Sequence, residues 1–261
     1  MVTNRELAAY LHKLLKVDTF KDFAPNGLQI EGRKEIHKLF ASTSATKKVI
    51  TECSSRGADA LLVHHGWFWS NENRTLVGPF KEKIKLMLDN EINLFGYHLP
   101  LDALPELGNN HPVLKSLGVA EPEVIFEIGY VGELAQPKSV ADFQQELDKY
   151  YGREGVHVFP ENVSEVKKVA IVSCNGTDFF RELLYHKEGL QPGYEGLVKD
   201  VDAYITGEGT EWVYSLVHDF GVGYSAMGHY TSEKIGPTLL GQHLAEKFSL
   251  EFEFIDDPNP F

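Results

Sequence analysis

The sequence predicts an α/β protein of two similar lobes, each with layered sheet flanked by helices. Three observations carry this. Ala60-Leu61-Leu62-Val63 is apolar without alternation, the pattern of a strand covered on both faces. Short runs of this kind alternate along the chain with longer stretches of helical period. The order of these segments in the first half returns in the second.

Taken in order, Asn4 is placed as the cap of a first helix with Leu7, Leu11, Leu14 and Leu15 on one face. Ala24-Pro25-Asn26-Gly27 is a strong turn signal, followed by a strand over 28–31. A strand over 39–44 and a helix over 46–56, stopped at Gly57, come next. The apolar run then ends in His64-His65-Gly66. A polar loop over 71–78 precedes a helix over 80–88 and a strand over 92–95. That strand leads into Gly96-Tyr97-His98-Leu99-Pro100-Leu101-Asp102, where Pro100 argues for a loop and against a helix. A helix around 112–117 ends at Gly118.

The second half repeats this order. A helix over 139–151 is expected to turn Val140, Phe143, Leu147 and Tyr150 inward. Gly155-Val156-His157-Val158 echoes Gly27-Leu28-Gln29-Ile30, and the strand over 168–173 echoes that over 38–43. Val201-Asp202-Ala203-Tyr204-Ile205-Thr206 echoes the apolar run, with Gly207-Glu208-Gly209 where His64-His65-Gly66 stood. Gly228-His229, after a strand over 222–227, echoes Gly96-Tyr97-His98. Helices over 178–185 and 238–248 and a closing strand over 251–255 complete the chain. The duplication predicts lobes over 1–125 and 126–261, with their strand-end sites facing one another.

Bulk composition narrows the function. The 261 residues are 43% hydrophobic and 24% charged, ordinary for a globular protein. A net charge of −13 argues against a nonspecific grip on nucleic acid or an anionic membrane, though it permits a local basic cleft. Cys53 and Cys174 make neither a disulfide framework nor a thiolate zinc site. Residues 1–16 are amphipathic without a signal-peptide core, and no apolar run approaches the roughly 20 residues of a membrane span. A cytoplasmic protein is expected.

Three clusters carry chemistry. His64 and His65 end a strand, where open α/β sheets place ligands. Successive strand residues point to opposite faces, so adjacent histidines serve two neighbouring ions more easily than one. His98 and Asp102 form the second cluster, although Asp102 could merely cap a turn. His229 and Glu233 form the third, or else Thr231 or Ser232 caps a helix begun at Glu233. Imidazoles and carboxylates without cysteine suit zinc, manganese, iron or cobalt. Two such ions about 3.5–4 Å apart, bridged by a carboxylate, suit a two-metal hydrolytic mechanism. Glu208 holds the repeat position of His65 and could be a base or an orienting group. Trp67-Phe68-Trp69 either stacks a planar ligand or packs the lobe. The remaining histidines lack ligand company.

These motifs together resemble the GTP cyclohydrolase I type 2, or Nif-three-like, family. The resemblance rests on Ala24-Pro25-Asn26-Gly27-Leu28-Gln29, the His64–Trp69 run, His98 to Asp102 with Gly108-Asn109-Asn110, Ile205-Thr206-Gly207-Glu208, Gly228-His229 through Glu233, and the Phe254-to-Pro260 tail. It spans nearly the whole chain. It implies two α/β lobes around a dinuclear metal site and a ring-shaped homohexamer. His65 and Asp102 would hold one ion, His64 and His229 the other, and Glu233 both, with His98 nearby. The short stretch over 119–139 implies the compact form without an inserted domain. The expected function is metal-dependent hydrolysis of a small-molecule substrate, a nucleotide or other planar heterocycle, with Glu233, His98 and Glu208 as catalytic candidates. The rival is a metal-handling or regulatory protein using the same ligands.

Overall fold

The unbroken apolar run lies at the centre of a sheet. The computed structural model describes residues 1–261. The chain divides into two compact units, Met1–Leu101 with Lys234–Asp257, and Asp102–Glu233 with Pro258–Phe261. In the first, Ala60–His65 is the middle strand of five, ordered Glu251–Phe254, Lys38–Ser44, Ala60–His65, Asn93–Gly96 and Gly27–Ile30. The first four run parallel and the last antiparallel.

Both faces of this sheet are covered. Phe40, Leu61 and Val63 pack with Val49, Ile50 and Cys53 of helix Lys47–Ser55 and Ile84 and Met87 of helix Gly78–Asp89. Helix Ile235–Phe248 lies against strands Lys38–Ser44 and Ala60–His65, and the alternate positions Leu39, Ala41 and Leu62 are equally buried. Burying each large apolar side chain contributes about 1.5–3 kcal/mol, and here every position of the strand has a core to enter.

The second unit contains a six-stranded sheet, ordered Glu123–Ile125, Gly129–Ser139, Glu165–Ile171, Ala203–Thr206, Gly223–Ala226 and Val156–Val158. Its three central parallel strands and its antiparallel edge Val156–Val158 have the same order as Lys38–Ser44, Ala60–His65, Asn93–Gly96 and Gly27–Ile30. The likeness reaches single atoms. Asp59, just before the central strand, accepts the His37 and Lys38 amides at 2.8 and 2.9 Å. Asp202, at the equivalent position, accepts the Lys167 and Lys168 amides at 2.7 and 2.9 Å.

Several local expectations are corrected. Thr3, not Asn4, caps the first helix, Asn4–Leu14, through a capping box with Glu6. Asn4 instead enters a buried amide pair with Asn93. Leu99–Asp102 is one helical turn despite Pro100, because the first turn of a helix needs no proline amide. Helix Val140–Tyr151 buries Tyr151, not Tyr150. Neither Thr231 nor Ser232 caps a helix at Glu233; both lie inside His229–Glu233, and the Ser232 hydroxyl donates to the His229 carbonyl. The final helix starts at Ile235, with Gly236 and Pro237 in its first turn. The long strand Gly129–Ser139 was not read from the sequence. No helix is long and apolar enough to cross a membrane.

Candidate metal centre

Parallel strands deliver the first cluster. His64 and His65 end Ala60–His65, and His98 follows Asn93–Gly96 beside it. The His64 and His65 ring centroids are 4.7 Å apart, and His64 and His98 5.0 Å. One nitrogen from each of the three lies within 4.8 Å of the others.

Each ring is oriented through Nδ1. His64 Nδ1 donates to the Tyr97 carbonyl at 3.0 Å, which leaves the imidazole lone pair on Nε2. His65 Nδ1 lies 3.1 Å from Ser44 Oγ. His98 Nδ1 lies 2.8 Å from Asp22 Oδ1. Asp22 also accepts the Leu99 amide and the Asn26 side-chain amide. Burial alone would raise the Asp22 pKa, but the His98 hydrogen bond and charge, with Asn26 and Leu99, lower it to about 2.

The Ala24-to-Gln29 motif holds these strand ends together. Asn26 Oδ1 accepts the His98 amide at 2.7 Å. Gln29 Oε1 accepts the Trp67 amide at 2.7 Å, while Gln29 Nε2 donates to the Pro25 carbonyl at 2.8 Å. This amide lies close to both Gly66 and Gly96: an added Cβ would come within 2.3 Å of its oxygen at the first and 2.6 Å of its nitrogen at the second. Of the aromatic run, Trp67 is buried and donates to the Ala45 carbonyl, Phe68 packs on Phe80, and Trp69 lies edge-on to His98.

The second unit arranges its own donors. Asp102 is buried, and its Oδ1 accepts from Asn109 Nδ2 at 2.7 Å and Ser173 Oγ at 2.9 Å. His229 Nδ1 lies 2.5 Å from Glu208 Oε1, and its Nε2 lies 3.0 Å from Oε2 of the buried Glu233. Burial is the largest influence on His229 and would lower its pKa; Glu233 and then Glu208 outweigh it and raise the pKa to about 9. Such a group of carboxylates attracts a cation. Ser225, His157 and Asp148 also form a hydrogen-bonded row, but Ser225 is fully buried, so the row ties an edge strand to a helix and presents no nucleophile.

The donors fit divalent metals chemically. Imidazoles held at Nδ1 by an oxygen, and carboxylates held by hydrogen-bond donors, are the usual surroundings of metal ligands. Neither cysteine competes as a ligand. Burial pushes the Cys53 thiol up to about 12. Burial, with the charges of Glu233, Asp102 and Glu208, raises Cys174 well above its ordinary range. Both thiols should therefore resist Ellman's reagent at pH 8 in the folded protein, and two should react in guanidinium. Rapid labelling of Cys174 in the native state would contradict this electrostatic account.

The family model for Duf34/NIF3 (NGG1p interacting factor 3) matches residues 2–260. The chain belongs to this family. A Yersinia pestis relative named "GTP cyclohydrolase 1 type 2 homolog" is 35% identical over 257 residues, covering 98% of this chain and 99% of the relative. A solved structure titled "Structural genomics, protein ybgI, unknown function" is 32% identical, with a TM-score of 0.89 and all of both chains covered. TTHA1606 from Thermus thermophilus is 27% identical, with a TM-score of 0.88 and the same coverage. The NIF3 resemblance read from the sequence motifs is thus borne out, as is the α/β class.

Within the first unit, the structure gathers His64, His65 and His98; within the second, it joins His229, Glu233 and Glu208, while Asp102 is held by Asn109 and Ser173. Sequence reasoning missed Asp22, Ser44 and Ser173. Asp22 had a readable signal. It stands just ahead of the turn motif and accepts the Phe23 and Ala24 amides, as an Asx turn does.

Proposed function

We propose that this NIF3 protein is a metal-dependent hydrolase in which His64, His65, Asp102, His229 and Glu233 hold two divalent ions. The observation that carries the reading is the shared treatment of the imidazoles. Nδ1 of His64, His98 and His229 faces a carbonyl or carboxylate oxygen. Hydrogen-bonded in this way, Nε2 is the nitrogen that carries the lone pair for a metal or a proton. In the pairing that the family resemblance implies, His65 and Asp102 would hold one ion, His64 and His229 the other, and Glu233 would serve both. Divalent ions make water a stronger acid and neutralise charge that develops on an electrophile.

The chain's own groups do the rest. Asp22 fixes the His98 tautomer, so His98 Nε2 is available to take the proton that attacking water loses. Glu208 fixes His229 in the same way. Asn109 and Ser173 hold the Asp102 carboxylate in one rotamer. The substrate proposed is a nucleotide or similar planar heterocycle, in keeping with the names of the cyclohydrolase homologues.

Metal analysis with a hydrolysis screen tests this on wild type and His65→Ala. The expected result is about two ions per wild-type chain, fewer in the variant, and nucleotide hydrolysis only in the loaded wild type. Stoichiometric metal with no turnover would favour a metal-handling role. Absence of metal after reconstitution would overturn both.

A further inference from the structure

The first unit carries a trough beside His65 that metal binding does not account for. A cavity of about 440 Å³ is lined by His65, Trp69, Lys47 and Lys83 among others. A second, of about 370 Å³, shares Lys83, Phe80 and Glu72 with it and extends to Arg74. Their shared walls make them one trough from a candidate metal ligand to a row of cations. Three cations, Lys47, Lys83 and Arg74, line it against one carboxylate, Glu72, in a chain of net charge −13.

Lys83 is the fixed member of the row. Its Nζ lies 5.1 Å from the Trp67 ring centroid and 5.8 Å from that of Phe80, so two aromatic faces hold the ammonium. The side chain is half-buried, and burial lowers its pKa against the opposing charge of Glu72. Lys47 is paired with Glu82 at 2.7 Å, but both side chains are more than half exposed. An exposed pair of this kind contributes about 0–1 kcal/mol, so Lys47 can exchange its partner for an arriving anion. Glu72 is the acidic group in the trough wall, and it disfavours ligands with charge along their whole length. Trp69 offers an aromatic ring at the end near His65, where its ring centroid is 5.9 Å from the imidazole.

We propose that the trough seats a small ligand with a planar ring and one phosphate group, the ring against Trp69 and the phosphate on Lys83. Placing the ring beside His65 rests on the hydrolase reading; the binding itself does not. The proposal makes Lys83, which is not among the candidate metal ligands, a specificity-determining residue.

The probes are guanosine monophosphate, guanosine and inorganic phosphate. Binding is followed by tryptophan fluorescence and calorimetry on full-length protein, both metal-loaded and EDTA-treated. Lys83→Met keeps the side-chain stem over Trp67, and Lys83→Arg keeps the charge. The expected result is a rise of at least about tenfold in the Kd for guanosine monophosphate with Lys83→Met, and a smaller rise with Lys83→Arg. Guanosine should bind both variants as it binds wild type, with metal content and Tm unchanged. An unchanged Kd for the monophosphate in Lys83→Met, or no binding of it by wild type, overturns the proposal. Lys83-dependent binding in a chain that takes up no metal would uphold the trough while removing the metal reading. Metal uptake with Lys83-independent binding would do the reverse.

Discussion

Glu233→Gln is expected to leave the fold intact while lowering bound metal to one ion per chain or fewer and hydrolysis by at least about 100-fold. Removing an outer partner of a metal ligand already costs 10–100-fold in affinity or activity, and Glu233 is proposed as a ligand to both ions. Its carboxylate is fully buried, so the isosteric amide removes charge without opening a cavity. In the metal-free protein, the change should lower stability at neutral pH, because the His229 imidazolium loses the buried carboxylate it pairs with and keeps only Glu208. It should also alter proton linkage. Glu233 and Glu208 raise His229 to about 9, so metal-free wild type at pH 7.5 carries a proton there. Metal uptake must expel that proton, whereas in Glu233→Gln the His229 pKa falls toward its ordinary value and release shrinks. Elemental analysis and proton release in weakly buffered solution check both halves. Full metal content and rate in Glu233→Gln would remove Glu233 from the centre.

The sequence made the strand ends legible because the strands themselves are. Ala60–Val63 has no polar position to disguise its period, and Asp59 and Asp202 stand before their strands in both halves. Gly129–Ser139 was illegible for the opposite reason. It carries Gly129, Gly132 and Pro137, residues that argue against a strand, and only its partners across the sheet overrule them. The candidate donors were readable as residue types at strand ends. Their orienting partners were not, because those bonds join distant parts of the chain. Asp22 lies 76 residues from His98, and Ser173 lies 71 from Asp102. Glu208 was the exception, since the repeat placed it at the end of the strand equivalent to the one ending in His65.

The same repeat places a glycine after His65, and Gly66→Ala is expected to cost about 2–4 kcal/mol. The new methyl would meet the Gln29 oxygen at 2.3 Å and its nitrogen at 2.6 Å. Gln29 cannot withdraw freely, because the Gly96 backbone adjoins the same amide and both ends are hydrogen-bonded. If the amide moves, the Trp67 N–H loses its acceptor, at about 1–3 kcal/mol; if it stays, overpacking costs a similar amount. For a chain of this size, each kcal/mol lowers Tm by about 2–4 °C, so a fall of roughly 5–15 °C follows. Gly57→Ala is the control: its φ of +66° strains an alanine, but no atom lies within 4 Å of the new methyl. It should cost about 1–2 kcal/mol from backbone conformation alone. Metal content separates the two variants further. Gly66→Ala disturbs the Gln29 bridge next to His65 and should weaken metal binding, whereas Gly57→Ala lies at the far end of the strand and should not. If Gln29→Ala destabilises wild type but costs Gly66→Ala much less, the clash is located at the amide. A Gly66→Ala protein melting within about 2 °C of wild type would show that Gln29 has room to turn aside, and that the turn motif does not hold the histidine-bearing strand ends in register.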